Sequence, residues 1–270
     1  MSNFWLRLIT GTVFVIVLSL AIMTGVSTSA ALFFIASIIG CGEYLSILEK
    51  GKKPTPIKFW SFLSITSVHV TFYLVSAGLA PQKVLLASIP VFITMAVVEL
   101  FNNKPDGITR IAHAFMGTIW IGVPFAALSF LGTINGLYNG WLVLGFFILL
   151  WTNDTGAYIT GRSFGKRKLA PAISPGKTIE GFVGGVLLAV IVAYFMSDFI
   201  DALSQTQWLV VALIIGIFSN AGDLVESLLK RSCGVKDSGN ILPGHGGILD
   251  RFDGILLAVP VILAYLLLTI

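Results

Sequence analysis

The sequence predicts an all-α, polytopic integral membrane protein of about nine transmembrane helices, its N-terminus cytoplasmic and its C-terminus on the opposite side. Three observations carry this fold class. The 270 residues are 56% hydrophobic and 11% charged, with a mean hydropathy of +0.93, too apolar for a soluble domain and ordinary for a polytopic membrane protein. The apolar residues fall into nine runs, each near the about 20 residues that a helix needs to cross the hydrocarbon core. Those runs lack the alternation of barrel strands, the other structure that satisfies its backbone in lipid. Finally, with nine spans, Lys83 is the only one of the 17 Lys and Arg residues that falls outside the cytoplasmic side. Translocated loops hold few positive charges, so this asymmetry sets both parity and orientation.

In chain order the predicted spans lie at 8–26, 31–48, 59–79, 84–101, 112–131, 140–160, 179–199, 207–229 and 252–270. The first is followed by the small residues Ser27 to Ala30, as in a signal peptide, but its apolar run is long for one and the parity requires it, so it is read as retained. The second and fourth carry the intramembrane acids Glu43 and Glu99, neither with a partner visible in the sequence. His69 and His113, in or beside other spans without acidic neighbours, are assigned packing roles. The turns at 50–58 and 102–110, which include Lys50, Lys52, Lys53, Lys58, Lys104 and Arg110, read as basic topology determinants at the membrane surface. Cys41 lies in a span and Cys233 in a loop, so no disulfide is expected. The pI near 9.1 suits loops that face the anionic headgroups of a bilayer, and no aromatic-basic pattern points to nucleic acid. The chain reads as a single membrane domain, 1–270, with N-terminal helices over 1–132 and the chemistry-bearing helices and loops over 140–270.

Two loops exceed a topological description. The first joins spans six and seven over 151–185. Asp154 sits near the end of an apolar helix, where an uncompensated acid costs about 2.5–3.5 kcal/mol at the bilayer centre, so a polar cavity or a partner is expected. Arg162, Lys166, Arg167, Lys168 and Lys177 supply positive charge, and Gly161, Gly165 and Gly176 allow close backbone approach. Ser174 and Pro175 read as the N-cap and first position of span seven, with Lys177, Thr178 and Glu180 in its first turns, a placement suited to an anion. The string Gly176-Lys177-Thr178 is no P-loop: the position five residues before Gly176 is Pro171, and no strand precedes it.

The second comprises span eight and the charged, glycine-rich stretch that follows. Asn220, Asp223, Ser227, Lys230 and Arg231 recur at three- or four-residue spacing on one side of a helix, with Glu226 sharing part of that face. Asp223 lies about seven residues inside the last charge cluster, roughly 10 Å along a helix, too deep for a surface charge. Beyond Pro243-Gly244-His245-Gly246-Gly247, Asp250 and Asp253 are again three apart with Arg251 between them. The acids of the two helices are placed to converge on a hard divalent cation, which prefers oxygen ligands and commonly shares them with phosphates. A helix-end pairing of Asp223 and Glu226 with Lys230 and Arg231 is the plainer reading, but it leaves Asp250, Asp253 and three glycines unexplained. His245 is open to three roles: general base, phosphate donor or loop hydrogen bond.

These residues carry a resemblance. Ser227-Leu228-Leu229-Lys230-Arg231, Lys236-Asp237, Pro243-Gly244-His245-Gly246-Gly247 and Asp250-Arg251-Phe252-Asp253 together resemble the signature of the phosphatidate cytidylyltransferases, or CDP-diacylglycerol synthases. Asp154-Thr155-Gly156-Ala157-Tyr158, Gly161-Arg162, Phe164-Gly165-Lys166 and Ser174 to Gly181 resemble the family's other cytoplasmic stretch. Gly176 stands where Lys is frequent, and Asn220 where Gln is frequent. The resemblance implies transfer of a cytidylyl group from CTP to phosphatidic acid with Mg²⁺, with room for a second cation, in a homodimer of the cytoplasmic membrane whose active site faces the cytosol. On this expectation Asp223 and Asp250 hold the metal, with Asp253, Asp154 and Glu226 either supporting those ligands from behind or holding a second cation. Lys177, Lys230, Arg231 and Lys236 clamp phosphates, Gly244, Gly246 and Gly247 present backbone donors, and His245 orients a phosphate. Arg162, Thr178, Ser227, Asp237 and Arg251 complete the substrate contacts. The rival readings are a CTP-dependent lipid kinase resembling dolichol kinases, which releases CDP, and an ion-coupled transporter, whose acids would spread across the membrane depth.

Overall fold

The computed structural model describes residues 3–102 and 105–270, so the expected surface charge at Lys104 lies outside the described residues. The described residues form ten α-helices: α1 (Asn3–Thr24), α2 (Val26–Lys50), α3 (Lys58–Ser76), α4 (Ile89–Phe101), α5 (Gly107–Met116), α6 (Val123–Leu131), α7 (Gly140–Phe164), α8 (Ile179–Met196), α9 (Gln205–Ser232) and α10 (Leu249–Thr269). A short antiparallel hairpin, β1 (Lys168–Ala170) and β2 (Ser174–Thr178), stands between α7 and α8. Among the described residues, nine segments are long and apolar enough to cross a membrane, because α5 and α6 run on as a single span, Gly107–Leu131. A π-helical stretch, Gly117–Gly122, joins them. Pro124 explains it: a proline cannot donate to the carbonyl four residues back, and the turn before it widens. The fourth span likewise opens as a 3₁₀ turn, Gln82–Ser88, and becomes α-helical only where Pro90 occupies the first turn of α4.

One expected helix start is corrected. Ser174 and Pro175 do not cap span seven; they lie in β2, and α8 begins at Ile179. The Thr178 hydroxyl is the cap, accepting from the Gly181 amide at 3.1 Å. Glu180 fixes the hairpin from the helix's first turn, accepting from the amides of Lys166 at 3.0 Å and Arg167 at 3.1 Å. Lys177 and Thr178 therefore precede the helix, on an extended strand. Ser204 and Gln207 close a reciprocal capping box at the start of α9.

Packing is closest among the last four helices, where α7 lies along α8 and α9 along α10. Small residues permit it. A Cβ on Gly185 would stand 2.6 Å from the Asn153 carbonyl oxygen, and one on Gly156 would stand 3.1 Å from the Gly185 Cα. Gly181, Gly184 and Gly185 thus serve a seam inside the chain. At the start of α10, Phe252 meets the rings of Phe14, Phe125 and Phe147 at centroid distances of 5.5, 5.0 and 6.3 Å, which joins α1, α6 and α7 to α10.

Two further expectations change. Arg110 is buried, not a surface charge, and it is the partner that Glu99 lacks in the sequence. Its Nε and Nη2 donate to the Glu99 carboxylate at 2.9 and 3.2 Å, and the Ile57 amide adds a third bond at 2.8 Å. His69 is buried against Ser37 and the Ile65 carbonyl, and His113 meets the Pro54 carbonyl at 2.6 Å, both in packing roles. Cys41 and Cys233 are free thiols.

Because Gly185 touches backbone, Gly185→Ala should lower stability by about 1–3 kcal/mol, the ordinary cost of overpacking. Gly176→Ala, with open space around the same atom, should leave stability unchanged. Denaturation midpoints of the two variants in detergent provide the comparison.

Candidate functional site

The helix ends around α9 and α10 enclose a cavity of about 1230 Å³, walled also by α1, α7 and the loop after α9. A second cavity, of about 520 Å³, lies between α7, β2 and α8. Asp154, Lys177, Asn220 and Asp223 line both, so the partition between the two spaces is made of polar side chains. Asp154 opens to these cavities, which is how an acid persists at the end of an apolar helix.

Asp223, Glu226 and Asp253 converge there, each offering a carboxylate oxygen within 4.8 Å of the others. The first two share a face of α9 by helical spacing. Asp253 reaches them because Gly222, with no side chain, lets the Asp253 backbone carbonyl press against α9. Two lysines balance the charge. Lys177 Nζ lies 2.6 Å from Asp223 Oδ2, and Lys230 Nζ bridges Glu226 Oε2 at 2.5 Å and Asp250 Oδ1 at 2.6 Å. Ser227 donates to Asp223 Oδ1 at 3.2 Å.

Asp250, expected beside Asp223, is engaged by Lys230 and the loop. Asp250 Oδ1 is taken by Lys230, and Oδ2 accepts from the Ser238 amide at 3.0 Å, the Ser238 hydroxyl at 2.9 Å and the Gly247 amide at 2.8 Å. Its position in the first turn of α10 turns its carboxylate toward the loop, while Asp253, one turn on, faces α9. Glu226 is the acid that stands with Asp223 and Asp253, and its Oε1 is buried without a hydrogen-bond partner among the described residues. Three carboxylates with an unused buried oxygen form an all-oxygen donor set that fits a hard divalent cation.

The loop bends on Gly244 and Gly246, whose φ of +77° and +83° lie in the left-handed region that favours glycine. Leu242 pairs with Gly246 across this turn, and the His245 amide donates to the Leu242 carbonyl at 2.9 Å. His245 Nδ1 is 2.8 Å from Thr10 Oγ1, a hydrogen bond that ties the loop to α1. Burial first, then the charges of Arg251 and Arg7, hold the His245 pKa below the ordinary imidazole value. Gly247 is off the cavity wall, its amide already bound to Asp250. Lys236, Asp237, Arg231 and Arg251 line the larger cavity, with Arg231 also donating to the Val235 carbonyl at 3.4 Å. Arg162 and Thr178 line the smaller one, and Arg162 donates to the Tyr158 hydroxyl at 2.9 Å.

Sequence reasoning missed the first two helices. Arg7 and Thr10 of α1 stand on the cavity wall, but they sit in an apolar run without a motif. Glu43 of α2 is buried against the loop and accepts from the Ile248 amide at 3.0 Å and the Leu249 amide at 2.8 Å. Its signal was present, an acid inside a span; its partners are two backbone amides and the Ser238 hydroxyl, some 200 residues away, and no local pattern announces them.

Fold and cavities define a polytopic, all-helical membrane protein with a charged, glycine-bounded site at its helix ends. More narrowly, the chain belongs to the Cytidylyltransferase family, whose model matches residues 5–269. It is similar to proteins named phosphatidate cytidylyltransferase from Staphylococcus haemolyticus, 45% identical over 174 residues, and Staphylococcus saprophyticus subsp. saprophyticus, 43% identical over 173 residues. A third, from Staphylococcus aureus, is 43% identical over 174 residues. Each alignment covers 63% of this chain and 64% of the relative, so the chain spans somewhat less than two thirds of the length of the curated relatives it matches.

Two outcomes are expected at this site. Asp253→Asn should weaken Mn²⁺ binding measured by electron paramagnetic resonance, while Asp237→Asn, on the same wall outside the triad, should retain it. The lowered His245 pKa means that the unfolded chain takes up the proton first. The contribution of neutral His245 to stability is therefore complete above about pH 6.5 and lost as the pH falls through that value toward the lower folded pKa. Denaturation midpoints against pH should show this acid loss in the parent and lack it in His245→Gln; the effect is modest, because the ring is only half-buried.

Proposed function

We propose that this protein transfers the cytidylyl group of CTP to phosphatidic acid, forming CDP-diacylglycerol and pyrophosphate for phospholipid synthesis. The observation that carries the reading is the polar partition between the two cavities, where Lys177 and Asp223 face both spaces beside the acid triad. A reaction that joins two anions at phosphorus needs a place where both can be neutralised and aligned. Family membership and the names of the relatives agree with this chemistry.

In the reaction, a phosphate oxygen of phosphatidic acid forms a bond to the α-phosphorus of CTP, the bond from that phosphorus to the α–β bridging oxygen breaks, and pyrophosphate leaves with the electron pair. The attacking phosphate is already ionised at neutral pH, so no general base is required, which suits a His245 engaged by Thr10. Lys177, on the strand before α8, is placed to hold phosphate oxygens at the partition. Lys230 sets the charge balance of Glu226 and Asp250, and Lys236, Arg231 and Arg251 offer positive charge on the larger cavity's wall. Asp223, Glu226 and Asp253, with Asp154 beside them, would hold Mg²⁺, which supplies charge neutralisation between the phosphates. The Gly244 and Gly246 turn brings backbone to the wall without side-chain bulk.

The membrane is the cytoplasmic one and the site faces the cytosol, on the strength of the positive-charge asymmetry and of CTP being cytosolic. Spans over 1–132 and 140–270 act as one domain, since α1 lines the larger cavity and Glu43 of α2 holds the loop beside it. A homodimer is the proposed assembly on family resemblance alone.

Purified protein in mixed micelles with phosphatidic acid, Mg²⁺ and CTP labelled on the α-phosphate should place label in lipid, release pyrophosphate and stop with EDTA. Release of CDP without labelled lipid would instead indicate a CTP-dependent lipid kinase. Asp223→Asn should abolish turnover with little change in detergent stability. Lys177→Ala should raise the KM for CTP more than that for phosphatidic acid, and unchanged CTP kinetics would sink the role given to Lys177.

A further inference from the structure

Glu43 lies on α2, a helix that contributes no residue to the wall of either cavity among the described residues. Its carboxylate is nonetheless buried and bonded on both oxygens. Oε1 accepts from the Ile248 amide at 3.0 Å, and Oε2 accepts from the Leu249 amide at 2.8 Å and the Ser238 hydroxyl at 3.1 Å. The first two are free amides at the start of α10, where a carboxylate is favoured by both hydrogen bonding and the helix dipole. No side chain of α10's own N-terminus caps it. The cap comes from a helix roughly two hundred residues earlier.

The third contact carries the inference. Ser238 Oγ stands within hydrogen-bond distance of Glu43 Oε2, at 3.1 Å, and of Asp250 Oδ2, at 2.9 Å. A hydroxyl has one proton to donate, so Ser238 is shared between two carboxylates on opposite sides of the loop. Asp250 in turn fixes Lys230, and Lys230 fixes Glu226 of the acid triad. A continuous chain of polar contacts thus runs from α2 to the candidate cation site. Gly247 is shaped to it: a Cβ there would stand 2.5 Å from both Glu43 oxygens.

We infer that Glu43 is a positioning residue for the transfer reaction, one that holds the 236–249 segment so that Asp250 and Lys230 keep Glu226 and its neighbours in place. The inference rests on the proposed function for the reaction and on the geometry alone for the positioning. Glu43→Gln replaces one accepting oxygen by an NH₂ that faces backbone amides. Ser238→Ala leaves both carboxylates their backbone partners and removes only the link between them.

The test is a Mn²⁺ titration by electron paramagnetic resonance on the intact protein, with kcat expressed per Mn²⁺-binding chain. A loss of folded protein lowers the number of sites but shifts neither the Kd nor this kcat. In Glu43→Gln the Mn²⁺ Kd should rise and kcat should fall by about 10- to 100-fold, the usual effect of groups that orient metal ligands. Ser238→Ala should move both in the same direction by less, and Glu43→Asp should recover part of the loss. Parent values of Kd and kcat in folded Glu43→Gln overturn the inference. Should Glu43→Gln fail to fold, Ser238→Ala decides, and parent values there overturn it equally. If the parent makes no labelled lipid, the proposed reaction fails, and the Mn²⁺ Kd of the same variants still decides whether Glu43 positions the site.

Discussion

Lys230 is the interaction on which the rest of the site depends. It is buried, and its ammonium lies between Glu226 of α9 and Asp250 of α10. Each charge removed from water costs several kcal/mol, and that cost is offset only where geometry is good and the remaining lone pairs are engaged. Asp250 meets the condition through Ser238 and Gly247. Glu226 meets it in part, since one of its oxygens has no partner among the described residues. The bridge therefore fixes α9 against α10 while leaving an acceptor at the heart of the acid triad. A hydrophobic substitute would hold two helices together as well; it would not leave an oriented carboxylate within the acid triad.

Glycine makes such a site possible in a bundle of apolar helices. Without a hydrophobic driving force between helices in lipid, close packing supplies the association energy, and small residues allow it. Gly222 admits the Asp253 carbonyl, Gly185 admits the backbone of α7, and Gly254 lies against Ser219. The helices touch at these points and part at their charged ends, where the cavities lie. The hairpin acts on the other side: Glu180 pins the residues that lead into its first strand, and Thr178 caps α8. Lys177 is thereby delivered on a strand to Asp223, not on a helix, which changes its direction of approach.

Much of this was legible beforehand because it depends on composition and local period. A helix in lipid must be long, apolar and internally hydrogen-bonded, so nine spans could be placed within a few residues. Three-residue spacing put Asp223 and Glu226 on one face, and the charge and glycine density of the last loop marked the site. Local readings failed where a partner was distant or was backbone. Ser174 and Pro175 have the composition of a helix start, yet strand pairing and the Thr178 cap prevail. Arg110 resembles a surface cation, but Glu99 draws it into the interior. Thr10 touches His245 and Glu43 touches Leu249 across most of the chain, with no motif to announce either contact.

The sequence by itself determined the all-helical membrane class, the number of spans, the family signature and the set of charged residues from which the site is built, because each follows from residue type and short-range spacing. Only the tertiary structure decided which acids meet. Asp250 and Asp253 are equivalent by spacing, but a one-turn difference on α10 sends one to the loop amides and the other to α9. It also gave the loop its anchor on α2 and the cavity its wall on α1. Those assignments depend on how helices distant in sequence are set against one another, and that arrangement is fixed by packing around Phe252 and the glycine seams rather than by any segment alone.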